Sequence, residues 1–237
     1  MPILKNNTLG QAPRALIISL GLICIYLALS CLIHHWLLPE LPISPQLAPE
    51  RGTLITNSRA GEEIRVLRDR FETDVAFVQI EVTLAPGGSV PLAHIHSNTE
   101  ERFVGVEGTT VLTVDGGTHL LNPGETLIVP PGISHVPSNP SSQRVRFQVT
   151  FPALSNLDIF LVQVHGFLGR DHEPPSLPDQ ALQLMRYADA YDVYLAGPPL
   201  RLQMVGLWLL TPTLRMLGYR RFSSRATLTN PTRVGEP

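Results

Sequence analysis

In GGSVPLAHIHSNTEERFVGVEG, His94 and His96 are separated by one residue and Glu101 follows five positions after His96. Side chains of a β-strand alternate between its two faces, so residues two apart share a face and the two imidazoles can meet one ligand. Neutral imidazoles joined by a carboxylate form a donor set for borderline divalent ions such as Fe, Mn, Ni, Cu or Zn, and Glu101 supplies the carboxylate past a short turn. A fourth donor stands downstream in GETLIVPPGISHVPSN, where His135 follows an apolar run and a Pro-Pro-Gly corner. The competing account of His94 and His96 is a satisfied pair on a solvent face. For the carboxylate the rival is Glu100, which must point away if Glu101 points in. His119, His165 and His172 stand in no such pattern and read as ordinary surface or core histidines.

The elements that must hold these residues are short and β-rich. From Ile64 to Phe151 the runs FVQIEVTL, RFVGVEG, TTVLTVDGG, ETLIVPPG and RVRFQVTF alternate with Gly, Pro and Asn punctuation, the pattern of an all-β sandwich or barrel. Asp115-Gly116-Gly117 is a tight-hairpin signal. In RVRFQVTF the apolar Val145, Phe147, Val149 and Phe151 alternate with Arg144, Arg146, Gln148 and Thr150, which assigns one face to the core. Gly88, Gly108, Gly124 and Gly132 are expected at corners where φ is positive, and Asn139 at a turn.

Ten positions fall into two spaced motifs, Gly88, His94, His96, Glu101 and Gly108, then Gly124, Pro130, Gly132, His135 and Asn139. The chain thereby resembles the cupin superfamily, and its flanks resemble the small single-domain cupins grouped with quercetin dioxygenases. The resemblance implies a mainly β fold, a single jelly-roll barrel with His94, His96, Glu101 and His135 as metal ligands in its mouth. It also implies pairing of barrels into a homodimer.

Such a site leaves one or two positions open on a five- or six-coordinate Fe, Mn, Ni or Cu ion, with Zn as a further occupant. The quercetinase-like scheme then implies a dioxygenase-type oxidoreductase acting on a small phenolic or enolisable substrate, with Glu101 accepting the substrate proton. Two other readings share the donor set: a noncatalytic module that binds or senses a small ligand or metal, and a metal-dependent isomerase or decarboxylase.

Composition narrows the partners. The 237 residues carry a formal charge of −2 and a pI near 6.4, with no basic field for nucleic acid. The two cysteines, Cys24 and Cys31, both lie in the N-terminal apolar stretch, which excludes disulfides, thiolate metal sites and a Cys nucleophile from the remaining chain. That stretch, Ala15 to Ile33, is 19 residues without a charge. It is long enough to span a bilayer, and Lys5 and Arg14 before it place the N-terminus on the cytoplasmic side, so the following domain faces outward. Its length exceeds the apolar core of a cleaved signal peptide. ALSC, Ala28 to Cys31, is a weaker lipoprotein-type reading, since the apolar run continues beyond it.

These readings divide the chain into an N-terminal stub and transmembrane anchor (1–38), a Pro-rich spacer (39–51), the β-domain (52–170), and a connector with a packing helix (171–199). An apolar membrane-interfacial or second transmembrane helix (200–222) and a disordered tail (223–237) follow. In the packing helix, Leu182, Met185 and Ala188 recur at helical spacing and are expected to face the barrel. In the apolar segment that follows, Arg201 and Arg215 lie close together on the helical wheel and Pro212 interrupts it. Those features favour a helix lying on lipid over a second span, with an amphipathic dimer contact as the rival.

Overall fold

The computed structural model describes residues 11–72, 76–168 and 175–222. The tail 223–237, His172 and Lys5 lie outside the described residues.

Alternating strands build two sheets. The first is ordered β1 (Leu54–Asn57), β2 (Glu62–Arg68), β3 (Phe77–Leu84), β10 (Val145–Pro152), β5 (Glu101–Glu107), β8 (Thr126–Val129). The second is ordered β11 (Tyr194–Leu195), β4 (His94–Ile95), β9 (His135–Ser138), β6 (Thr110–Val114), β7 (Gly117–Leu121). The pairs in these two ladders are antiparallel. Hydrogen bonding does not close the sheets into the barrel expected from the motifs. β6 turns tightly into β7 in one sheet, and the chain then crosses through Asn122–Glu125 to β8 in the other, so each sheet keeps its own edges. The result is a jelly-roll sandwich, which is still mainly β.

The strand alternation works as expected. Val145, Phe147, Val149 and Phe151 are all buried, and with Ile64, Val66, Val82, Leu84, Phe103 and Leu112 they fill the space between the sheets. At the β6–β7 hairpin Asp115 and Gly116 both have positive φ, 49° and 78°, as a type I′ turn demands. Gly108, Gly124 and Gly132 also have positive φ. Gly88 does not; a Cβ there would meet the carbonyls of Ala85, Ala60 and Gly61 at 2.9–3.0 Å, so its requirement is close backbone approach. Asn139 is buried and staples a turn: its amide donates to the carbonyls of Ala85 and Gln143 at 2.9 and 2.7 Å.

Among the described residues four helices flank the sandwich: α1 (Gln11–Cys31), continued by a π-helical turn Leu32–Leu37, then α2 (Leu157–Leu168), α3 (Leu177–Tyr191) and α4 (Leu200–Met216). The stretch Arg14–Leu37 is long and apolar enough to cross a membrane, and most of its large apolar side chains are exposed. α2 was not legible in the sequence. Its apolar residues run nearly continuously through LDIFLVQVHGFL because one face meets the sandwich and another meets α3. Arg70 pairs with Asp158 at the start of α2, and His165 faces Glu62 at 3.0 Å, so both ends of this helix are tied to the sheet by buried polar groups.

The other differences follow from this helical layer. In α3 the buried residues are Gln183, Arg186, Tyr187 and Tyr191, whereas Leu182 and Met185 are half-buried. The helix presents its aromatic face to α2 and leaves Met185 to pack beside Ile95, Tyr194 and Leu207. Ser176 caps α3, its hydroxyl accepting from the Asp179 amide. The Pro-rich segment 39–51 reads as a spacer in the sequence but lies against the domain. Ala48 is buried, Ile43 and Leu47 pack with Ile159, Tyr187 and Tyr191, and Glu40 is paired with Arg186, Arg215 and Arg221. α4 runs between α3 and α1, burying Leu207, Thr211, Pro212 and Leu214. Tyr26 meets Thr213 at 2.9 Å, and the rings of His35 and Trp208 stack at 4.7 Å.

Candidate metal centre

His94 and His96 leave the same side of β4, with ring centroids 5.0 Å apart, while Ile95 between them turns outward to Tyr194 and Leu207. β4 is only two residues long, so His96 lies just past its end, yet the alternation of side chains persists. His94 pairs in register with His135, the first residue of β9, and their rings stand 4.4 Å apart. Glu101 opens β5 in the opposite sheet and reaches across to this pair. Its neighbour Glu100 is exposed, as the alternation requires. The centre is therefore built where the ends of two sheets meet, with Phe103 on the same strand face forming an apolar floor 5.7 Å from the His135 ring.

The ligand atoms of His94, His96, Glu101 and His135 all lie within 4.8 Å of one another. That is close to the span of two metal–ligand bonds of about 2.0–2.2 Å each. His96, Glu101 and His135 are buried; His94 is half-buried and marks the open side.

The histidines are held by the backbone. Nδ1–H of His94 donates to the Leu92 carbonyl at 2.9 Å, that of His96 to the Asp192 carbonyl at 2.8 Å, and that of His135 to the Ile133 carbonyl at 3.2 Å. A carbonyl only accepts, so each Nδ1 carries the proton and each Nε2 of a neutral ring presents a lone pair to the centre. Such outer partners orient metal-binding histidines and fix their tautomer.

The arrangement contains more acceptors than protons. His135 Nε2 lies 2.6 Å from Glu101 Oε2, and His96 Nε2 is 3.6 Å from the same oxygen, too far for a hydrogen bond. His96 Nε2 is buried with no hydrogen-bond partner. A buried unsatisfied acceptor is costly, and lone pairs of neutral imidazoles and a carboxylate repel unless a proton or a cation lies among them. This donor set could bind a divalent cation, and its chemistry fits one.

Without a cation, a proton shared within the cluster takes that place. Burial, with neighbouring His135 and His96, pushes the His94 pKa down to about 3, which keeps its ring neutral. Burial alone would raise the Glu101 pKa, but the charge of His96 and the hydrogen bond from His135 outweigh it and hold the carboxyl well below its usual range. Burial opposes a charged His96 as well, and there the Glu101 carboxylate wins, leaving its pKa raised.

All four expected ligands thus converge. His119 is exposed on β7, and the buried His165 is engaged with Glu62 and the Leu161 carbonyl. Asp192, whose carbonyl holds His96, was missed because it lies almost a hundred residues away in sequence. The available signal was an Asp closing a helix before the short β-rich run VYL.

Residues 80–152 match the family model described as a cupin domain. No curated protein matches the chain. Among solved structures it is similar to a sugar phosphate isomerase of the cupin superfamily from Silicibacter pomeroyi, with 24% identity over 48% of this chain and 75% of the other, at a TM-score of 0.37. It is also similar to the polyketide cyclase RemF from Streptomyces resistomycificus, with 25% identity over 48% and 80% of the two chains and a TM-score of 0.37. A third, a provisionally assigned sugar phosphate isomerase from Acidithiobacillus ferrooxidans, is 20% identical over 33% of this chain, at a TM-score of 0.31. The chain spans only 51% of that protein's length. The chain thus contains a segment, residues 80–152, that matches the cupin domain model.

Proposed function

We propose that this cupin is a membrane-tethered, metal-dependent oxidoreductase of the dioxygenase type, acting on a small phenolic or enolisable substrate. The observation that carries the reading is the convergence of three imidazole lone pairs and one carboxylate, each ring locked through Nδ1–H to a carbonyl. His94, His96, Glu101 and His135 would hold the ion. A bound Fe, Mn, Ni or Cu ion would supply Lewis acidity toward a substrate hydroxyl and reactivity toward O₂.

The chain's own residues perform the remaining tasks. The half-buried His94 edge is the approach, since Phe103 and Phe147 fill the interior behind His135 and leave the substrate to enter from the mouth. Glu101 stays ionised through the neutral range and accepts the substrate proton. Because its pKa is depressed, it is a weak base and takes that proton only from a hydroxyl that is already acidic. Phe103 keeps water from beneath the cluster, which strengthens the charge interactions within it.

The apolar stretch within 1–38 anchors the protein, Lys5 and Arg14 stay on the cytoplasmic side, and the domain faces outward. Externally added protease should therefore cut the domain in sealed right-side-out vesicles.

The test is metal analysis of the full chain, purified in detergent without chelator, beside His94→Ala and Glu101→Ala. About one equivalent of Fe, Mn, Ni or Cu in the wild type, lost in both variants, supports the centre. O₂ uptake with flavonols, dihydroxyaromatics or β-diketones then supports the reaction. A folded wild type that holds no metal after reconstitution overturns the proposal. A loaded protein that consumes no O₂ with any of these classes leaves a metal- or ligand-binding cupin.

A further inference from the structure

The partner of His96 comes from outside the matched region 80–152. Asp192 closes α3 in the left-handed conformation, φ 57° and ψ 41°, with its N–H bonded to the Ala188 carbonyl. Its carbonyl accepts Nδ1–H of His96 at 2.8 Å. Its carboxylate reaches the residues just after His96: Oδ1 accepts from the Ser97 amide at 2.9 Å and from the Ser97 hydroxyl at 2.5 Å, and Oδ2 accepts from the Asn98 amide at 2.9 Å. Immediately beyond it β11 joins the sheet, Tyr194 opposite Ile95 and Leu195 opposite His94. One residue therefore grips the ligand strand in two ways, at the ring of His96 and at the backbone behind it.

We infer that Asp192 is a positioning residue of the metal centre, its carboxylate clamping the end of α3 to Ser97 and Asn98 so that its carbonyl fixes the tautomer and direction of His96. The His94 and His135 rings are held by carbonyls two residues earlier in the chain, just before their strands, and such local contacts form with the segment itself. The His96 contact spans 96 positions and forms only when α3 is docked. Completion of the ligand set thus depends on a helical segment that the matched region does not contain. This inference rests on the reading of the cluster as a metal centre.

The carbonyl cannot be removed by substitution, but the carboxylate that holds it can. Asp192→Gly keeps the left-handed backbone without strain and removes the clamp. Asp192→Asn retains an acceptor for Ser97 and serves as the conservative rescue, and Ser97→Ala removes one donor from the opposite side. All are made in the full chain in detergent, with far-UV circular dichroism as the control for folding. Two readouts are taken: Co(II) affinity with its visible spectrum, and the histidine ¹⁵N spectrum of the metal-free protein, which reports which ring nitrogen carries the proton.

The expected result is a 10–100-fold loss of Co(II) affinity in Asp192→Gly with an altered Co(II) spectrum. The Nδ1–H signature of His96 should disappear while those of His94 and His135 persist. Asp192→Asn should lie near the wild type, and Ser97→Ala between the two. Wild-type affinity and an unaltered His96 signature in Asp192→Gly overturn the inference, and if that variant does not fold, the same outcome in Ser97→Ala does so. A wild type that binds no Co(II) while Asp192→Gly alone loses the His96 signature defeats the metal reading and leaves the positioning role standing.

Discussion

At the scale of residues, the centre is defined by where protons are allowed. Carbonyls take the three Nδ1–H groups, so each inward-facing nitrogen of a neutral ring is a lone pair, and Glu101 is the carboxylate clustered with them. His94 carries a consequence for pH. Its pKa falls from the ordinary 6.5 to about 3 on folding, so between those values the unfolded chain binds a proton that the folded chain refuses. Stability then rises with pH through that window and falls on acidification. Thermal melts of the metal-free full chain between pH 7 and pH 4 should show a steeper loss for the wild type than for His94→Asn. Equal slopes would mean that His94 is not held neutral. The four residues that cluster here were legible as candidate ligands from spacing and residue type, because a period of two decides which side chains share a face. The Leu92 and Ile133 carbonyls were not, since a backbone acceptor leaves no trace in residue identity.

At the scale of elements, β5 performs two tasks, presenting Glu101 and pairing closely with the β7–β8 crossing. The second falls to Gly105, where a Cβ would sit 2.1 Å from the Asn122 carbonyl oxygen. Backbone cannot yield as a flexible side chain does, so Gly105→Ala should destabilise the fold by about 1–3 kcal/mol, read from the urea midpoint. Gly116→Ala has open space around it, and its penalty comes only from the positive φ of 78°. It should cost about 1 kcal/mol. A larger effect at Gly116 than at Gly105 would contradict the close-approach account. Strand positions and the β6–β7 turn were readable because alternation and Asp-Gly are local signals. α2 was not, because a helix packed on two sides lacks the polar stripe that reveals period 3.6.

At the scale of the whole molecule, Glu40 joins the N-terminal helix to the domain. Arg186, fully buried, pairs with it and with Asp189 at 3.3 Å, while Arg221 and Arg215 approach the same carboxylate at 2.8 and 3.3 Å. Partial burial would raise the Glu40 pKa, but these three guanidinium groups hold it below its usual value. Removing the carboxylate leaves a buried arginine short of charge compensation, so Glu40→Gln should cost about 3 kcal/mol. It should also expose 39–51 to limited proteolysis; unchanged cleavage there would show that the segment does not depend on Glu40. A metal that binds only the folded state adds about 2.7 kcal/mol at a hundredfold excess over its Kd. Chelation should lower Tm by roughly 5–10 °C in the wild type and not at all in His135→Ala. An equal shift in both would place the ion elsewhere.

What the sequence determined by itself was local: which residues carry lone pairs, which faces the strands bury, where the turns fall, and that an N-terminal stretch is long and apolar enough for a bilayer. Each depends on neighbours within a few positions, where backbone geometry sets who can meet whom. Tertiary structure decided that the sheets stay open at their edges and that α2 lies beneath α3. It decided too that the Pro-rich segment packs against the domain and that Asp192 reaches back to His96. These depend on which distant surfaces find one another, and burial and ion pairing select such partners only after the chain has folded.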